Sequence, residues 1–376
     1  MKIVERTNCV MCNSTELSPS HNIPQFPIYM GTTNRPQVED LYHDMIFAKC
    51  ELCDSIQLKE LIPLDILYKE SHAGIIGATW ASHHAQFCTF AEKYAHGVVV
   101  EIGGSNLAVA NRLSSSEKID SIMVFDNQIY MENIKSEKII LREEFFDVKN
   151  VPSSVSCVMH THLIEHLYKP IEEFKKIHEA MPDNGYMLFA APLIGRMLKR
   201  YFTNAMNFEH TYLLTEAKID EMMTTSGFTL VEKEYFSEYA AFYAYKKTAS
   251  AKKSDLKKHP EDVKIINNFV GHYLNEVKKI QAQINSSPEK TFIFGAHIFT
   301  QYLLSFGLNE KHFCNILDND PKKIGNRLYG TDLIVQSPKI LKDVEKPTVV
   351  LKAAQYTEEI KKDIIENINP NTRFIL

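Results

Sequence analysis

The sequence has no long apolar run. Nothing in its 376 residues approaches the roughly 18 consecutive apolar positions that a membrane-spanning helix needs. Its N-terminus lacks the apolar core of a signal peptide, so the expected location is the cytoplasm and no membrane partner is expected. Basic excess is also missing. The formal net charge is −5, which argues against a nucleic-acid footprint. A disulfide framework is lacking too: seven cysteines, an odd count with no export signal, suit reduced thiols. What remains is an ordinary soluble composition, 44% hydrophobic and 24% charged, in a chain long enough for two or three domains.

The text divides into three parts. Residues 1–66 carry two cysteine pairs around a Pro-rich middle, Ile23-Pro24-Gln25-Phe26-Pro27, and read as short strands and loops. Residues 67–248 alternate strands with helices. Strands are expected at 98–102, 122–125, 155–159, 186–190, 229–234 and 241–246, and helices at 171–180 and 215–225. That alternation means an α/β fold with a mostly parallel sheet, closed by an antiparallel pair formed by its last two strands. Residues 249–376 begin in a lysine-rich linker and continue as a long amphipathic helix, about 261–285. They then repeat the strand and glycine-turn layout at Phe292-Ile293-Phe294-Gly295-Ala296, a second and smaller Rossmann-like unit.

Cys9/Cys12 and Cys50/Cys53 are two Cys-x-x-Cys pairs, 37 residues apart. Two such knuckles can supply four thiolates to one tetrahedral Zn²⁺. Four sulfurs leave no open position, so the site would be structural and would hold together a part too small for a large core.

Val98-Val99-Val100-Glu101-Ile102 runs directly into Gly103-Gly104-Ser105-Asn106. A buried strand that ends in glycine lets the backbone approach a ligand, because no Cβ intervenes. A second strand ends in Asp126 roughly twenty residues further on, placed to take ribose hydroxyls. The glycine turn lacks the full Gly-x-Gly-x-x-Gly of a nicotinamide site. An acid two residues before the first glycine fits instead a loop that holds the amino-acid part of an adenosyl donor. Asp147 stands where the next strand should end, either as a cap for the adenine amino group or as an ordinary loop acid.

Two histidine–glutamate clusters follow. His160-Thr161-His162-Leu163-Ile164-Glu165-His166 lies at the C-terminal end of a strand, where parallel sheets bind ligands, with His162 and Glu165 read as facing the pocket. Asn207-Phe208-Glu209-His210 lies in a later loop. There Glu209 is expected to orient His210, which would serve as a general base. No metal-ligand spacing stands out among these histidines.

Taken together, these segments resemble the S-adenosylmethionine-dependent sugar C-methyltransferases, in the same order and over nearly the whole chain. The matching text is the four cysteines, Glu101-Ile102-Gly103 with Ser105-Asn106, His162-Leu163-Ile164-Glu165-His166-Leu167 with Pro170, and Glu209-His210. Gly295-Ala296 and Asp318-Asn319-Asp320-Pro321-Lys322 with Gly325 and Gly330 match its tail, and Leu67-Tyr68-Lys69-Glu70-Ser71 matches the segment leading into the donor site. The resemblance implies a zinc-binding domain, a class I methyltransferase domain and a Rossmann-like domain. It implies S-adenosylmethionine held by Glu101, Gly103, Gly104, Ser105, Asn106, Asp126, Asp147, His162, Tyr68 and Ser71. The structural zinc would sit on Cys9, Cys12, Cys50 and Cys53, and catalysis would fall to His210 and Glu209. Three departures stand out: Leu107 where the family has a glycine, Asn207 where it has tyrosine, and His297-Ile298-Phe299 where it has Ala-Lys-Gly.

The expected reaction is methyl transfer to a nucleotide-linked ketosugar, by a monomer or weak homodimer, with no ligand on the C-terminal unit. O- or N-methylation of a sugar or other small metabolite is the alternative. A nicotinamide-dependent oxidoreductase or epimerase is disfavoured by both glycine turns and by the lack of a Tyr-x-x-x-Lys pair in the expected place. A zinc-ribbon nucleic-acid binder is disfavoured by Glu39, Asp40 and Asp44 between the knuckles.

Overall fold

A computed structural model of the chain describes residues 1–69, 78–104, 106–126, 131–249, 257–286, 289–353 and 356–376. Ser71 and Ser105 lie outside the described residues. The N-terminal part builds a three-stranded antiparallel sheet from β1 (Leu17–Pro27), β2 (Tyr42–Cys50) and β3 (Ile56–Leu58), in that order. β1 keeps three prolines because it is an edge strand, where a missing N–H costs no ladder bond. Its register slips between Ile23 and Phe26, around Gln25 at φ +49°.

The central part holds β4 (Gly97–Ile102), β5 (Ile119–Asp126), β6 (Ile139–Glu143), β7 (Val155–Thr161), β8 (Tyr186–Pro192), β9 (Phe228–Phe236) and β10 (Ala240–Lys247). They form one sheet in the order β9-β10-β8-β7-β4-β5-β6. Only β10 runs opposite to the other six strands. Val99 and Val100 in β4 point to opposite faces, and both are buried, as expected of a strand covered by helices on both sides. The covering helices include α1 (Ala78–Ala91), α2 (Ala108–Leu113), α3 (Pro170–Ala180), α4 (Ile194–Lys199) and α5 (Glu216–Thr225). β6 ends four residues before Asp147, which therefore stands outside the sheet.

α6 (Pro260–Asn285) starts with proline in its first turn. It buries Ile265, Phe269, Tyr273, Val277, Ile280 and Ile284, one stripe at helical spacing. The C-terminal sheet has β11 (Thr291–Phe294), β12 (Phe313–Leu317), β13 (Val335–Gln336), β14 (Thr348–Val350) and β15 (Arg373–Ile375), all parallel, in the order β13-β12-β11-β14-β15. After β11, Gly295 at φ +107° turns the chain into α7 (Ile298–Ser305). The Ala296 amide in that turn donates to Asp318 Oδ2 at 2.9 Å, and Lys323 Nζ donates to the same oxygen at 3.0 Å.

N- and C-terminal parts are stitched together. Thr32–Thr33 pairs with Arg327–Leu328. Asp40 accepts two bonds of 2.6 Å from the Arg327 guanidinium and one of 2.8 Å from Gly330 N–H. The two side chains are 1% and 8% exposed, so this ion pair lies inside the molecule.

Candidate active site

In the central sheet the chain leaves β4 for β5 and β6 on one side, and β7 and β8 on the other. The C-terminal ends of β4 and β7 therefore flank the crevice where open α/β sheets take ligands. Gly103 follows β4 at φ +77°, a conformation that a side chain resists. Gly104 is needed for space: a Cβ there would stand 2.8 Å from Val124 Cγ1 and 3.0 Å from Glu101 Cδ. Glu101 is 2% exposed, and its Oε2 is buried without a hydrogen-bond partner. Burial first, then the Asp126 charge, push this carboxyl up to about 8, against the pull of the Ala110 N–H. A buried carboxylate with one bare oxygen, beside two glycines, is fitted to receive a cationic group. Asp126 closes β5 at the same edge. Asn106 accepts from Ala108 N–H at 3.0 Å and so starts α2. Asp147 is exposed and accepts from Lys149 N–H at 3.0 Å, capping a short turn.

After β7, His162 adopts φ +51°. Its ring sits 5.0 Å from Trp80, with Nε2 3.3 Å from His83 Nε2 and Nδ1 3.4 Å from Glu165 Oε1. Glu165 is 1% exposed. Burial alone would raise its carboxyl, but the His162 bond and the His166 and His210 rings outweigh it and hold it at about 2. His166 Nε2 is 3.7 Å from Glu165 Oε1. Its Nδ1 faces the Tyr68 hydroxyl at 2.9 Å and the Glu209 carboxylate at 3.6 Å.

The second cluster joins the first. Thr211 N–H donates to Glu165 O at 3.1 Å, and Thr211 Oγ1 donates to Leu167 O at 2.9 Å. This brings the His210 ring to 5.3 Å from that of His166. Asn207 Oδ1 accepts both Glu209 N–H (2.8 Å) and His210 N–H (3.0 Å), which is what an amide does here in place of tyrosine. His210 Nδ1 lies 3.0 Å from Ala205 O. A carbonyl only accepts, so Nδ1 carries the proton and Nε2 keeps its lone pair. Burial lowers the His210 pKa despite the Glu165 charge and the Ala205 carbonyl, so the ring is neutral. The group that sets this tautomer is thus Ala205, while the Glu209 carboxylate addresses His166. Sequence reasoning passed over His166, because Tyr68 and Glu209 lie far from it in the chain and no local pattern links them to it.

The four cysteines meet as the spacing predicts. Cys9 and Cys53 Sγ are 3.6 Å apart, Cys12 and Cys50 Sγ 3.5 Å, and all four lie within 4.8 Å of one another. A tetrahedral Zn²⁺ with bonds of about 2.3 Å separates its sulfurs by roughly 3.8 Å, so the set fits that ion. The knuckles share one hydrogen-bond pattern. Cys9 N–H donates to Ser14 O and Asn13 N–H to Cys9 O, and Cys50 N–H donates to Ser55 O and Asp54 N–H to Cys50 O. Asn13 and Asp54 both take positive φ, +61° and +59°, which these residue types tolerate best after glycine. The Cys9 hydrogen bond holds the Cys53 thiol well below the usual thiol range, helped by Ser55 and Lys218. Lys218 from α5 is 1% exposed and donates to Cys53 O at 3.2 Å and Ser55 Oγ at 2.8 Å.

A family model described as a methyltransferase domain matches residues 80–233, from α1 into β9. That span holds both histidine clusters and the glycine turn, and leaves out Cys9, Cys12, Cys50 and Cys53 and the C-terminal sheet. Among solved structures, the N-methyltransferase NodS from Bradyrhizobium japonicum WM9 is similar at 12% identity over 45% of this chain and 97% of its own, with TM-score 0.35. RosA from Streptomyces davawensis, an N,N-8-amino-8-demethyl-D-riboflavin dimethyltransferase, shows 14% identity over 45% and 56%, with TM-score 0.37. The magnesium protoporphyrin IX methyltransferase ChlM from Synechocystis PCC 6803 shows 10% over 49% and 94%, with TM-score 0.37. At those scores the three likenesses carry no weight of their own. No curated protein matches the sequence at a significant level. Residues 80–233, with their open α/β sheet and glycine turn, are a methyltransferase domain of the S-adenosylmethionine-dependent kind.

Proposed function

We propose that the protein methylates a nucleotide-activated ketosugar at carbon, with His210 as general base. The observation that carries this reading is the His210 tautomer: Nδ1 is tied to Ala205 O, which leaves Nε2 its lone pair, on a ring that lies next to that of His166. S-adenosylmethionine supplies a methyl group already activated by its sulfonium. Glu101, Gly103, Gly104, Asn106 and Asp126 would hold it at the β4 edge. His210 Nε2 takes the proton α to the acceptor carbonyl, and the carbon so freed receives the methyl. Tyr68, His166 and Glu209 form the polar wall that orients the acceptor. With a hydroxyl acceptor, His210 would take the hydroxyl proton instead. In this reading residues 1–66 form a structural zinc domain, residues 249–376 help form the nucleotide-sugar cleft, and the protein works as a monomer or weak homodimer.

The test is His210→Ala, assayed against a panel of nucleotide ketosugars and titrated with S-adenosylhomocysteine. Turnover should fall by about 10²–10⁴, the usual share of a general base, with S-adenosylhomocysteine affinity unchanged. Undiminished turnover would remove His210 from the mechanism.

A further inference from the structure

We propose that Glu165, His166 and His210 form a second divalent-metal site, suited to a borderline ion such as Zn²⁺ or Co²⁺, and that filling it switches off the base. One ligand atom from each of the three lies within 4.8 Å of the other two. A tetrahedral ion with N and O ligands at about 2.0–2.1 Å separates them by roughly 3.4 Å, and His166 Nε2 already stands 3.7 Å from Glu165 Oε1.

Two further observations point to a ligand. Glu165 is 1% exposed and its Oε2 is buried without a hydrogen-bond partner, an open acceptor inside the protein. Each histidine also has its remote nitrogen engaged: His210 Nδ1 by Ala205 O at 3.0 Å, and His166 Nδ1 by Tyr68 Oη at 2.9 Å with the Glu209 carboxylate at 3.6 Å. Metal-bound histidines are held in this way, by a carbonyl or carboxylate on the nitrogen that does not bind. Two nitrogens and an oxygen leave a fourth position open, unlike the closed sulfur set of the cysteines. His162 Nδ1, 3.4 Å from Glu165 Oε1, competes for the same carboxylate and weakens the site.

The switch follows from one lone pair. His210 Nε2 accepts either a proton or a metal, so an ion bound there removes the base from catalysis. That half rests on the reading of His210 given above; the binding half does not.

The experiment is calorimetric titration of Zn²⁺ into protein that already carries one zinc per chain. A second equivalent should bind to the wild type and weaken by at least about tenfold in both His166→Asn and Glu165→Gln. S-adenosylhomocysteine binding in each variant reports that it has folded. A wild type with no second equivalent, or both variants keeping it, overturns the site. Where the second equivalent binds, turnover should fall with the same midpoint, and full turnover at saturation overturns the switch. Loss of turnover in His210→Ala beside a wild type that takes up no second equivalent sinks the metal site alone, whereas a second equivalent in the wild type with an active His210→Ala sinks the base reading and the switch with it.

Discussion

At the scale of single residues, Glu101 connects burial to the proposed donor site. Its folded pKa, about 8, lies above the ordinary carboxylate value of 4.5. The neutral acid therefore suits the fold, and its contribution to stability is full below about pH 4.5 and lost as pH rises through about 8. A cationic ligand reverses this preference, so binding should expel most of one proton at pH 7. Affinity for S-adenosylmethionine should climb between about pH 6 and 8 and then level. Titration at pH 7 in two buffers of different ionisation heat should show proton release by the wild type and none by Glu101→Gln; equal heats in the wild type would contradict it. Gly104 gives a second residue-scale case. Gly104→Ala places a methyl group 2.8 Å from Val124 Cγ1 and should cost about 1–3 kcal/mol, read as a lower melting temperature. Gly103 and Gly104 were legible from the text, because the strand before them is apolar and the glycines follow at once. The bare oxygen of Glu101 was not, since it depends on which side chains surround it.

At the scale of elements, the loop that carries His210 is an extension of the cysteine-bearing sheet. Leu58 N–H donates to Thr211 O at 2.9 Å and Leu213 N–H to Ile56 O at 2.8 Å, so β3 pairs with the loop. Arg6 adds a bond of 2.8 Å to Thr211 O. β3 begins three residues after Cys53, and Lys218 bonds the turn between them. A metal held by the four sulfurs would therefore brace the strand that pairs with the His210 loop. Cys50→Ser should lose the metal, measured by elemental analysis, and should lower turnover more than it lowers S-adenosylhomocysteine affinity. Unchanged metal content would sink the four-cysteine assignment. The cysteine spacing made the knuckles legible. Nothing in the text links them to His210, because the pairing joins a strand to a loop about 150 residues further along the chain.

At the scale of the whole molecule, three parts converge behind one loop. Phe208, two residues before His210, packs edge-on against Phe26 at 6.1 Å, and Phe26 packs against Tyr302 at 5.0 Å. The Tyr302 hydroxyl donates to Met206 O at 2.7 Å, so the C-terminal part also holds this loop. The Asp40–Arg327 pair keeps that arrangement closed. Arg327→Ala would leave Asp40 buried without its cationic partner, with only the Gly330 N–H beside it, and should destabilise the protein by about 3–5 kcal/mol in a denaturant titration. A double variant, Asp40→Leu with Arg327→Met, should recover much of that loss; no recovery would mean that the guanidinium bonds to Arg35 O and Thr331 O matter more. No helix among the described residues is long and apolar enough to cross a membrane.

The sequence by itself determined the α/β pattern, the glycine turn with its acids, the cysteine knuckles and the two histidine clusters. Each is a local matter, settled by periodicity, by backbone freedom at glycine or by spacing within a few residues. Only the tertiary structure decided which nitrogen of His210 is basic, that His166 joins it, and that Tyr68 and Glu209 address His166. Those outcomes rest on contacts between segments far apart in the chain, and hydrogen-bond partners at 3 Å are chosen by packing, which no local pattern records.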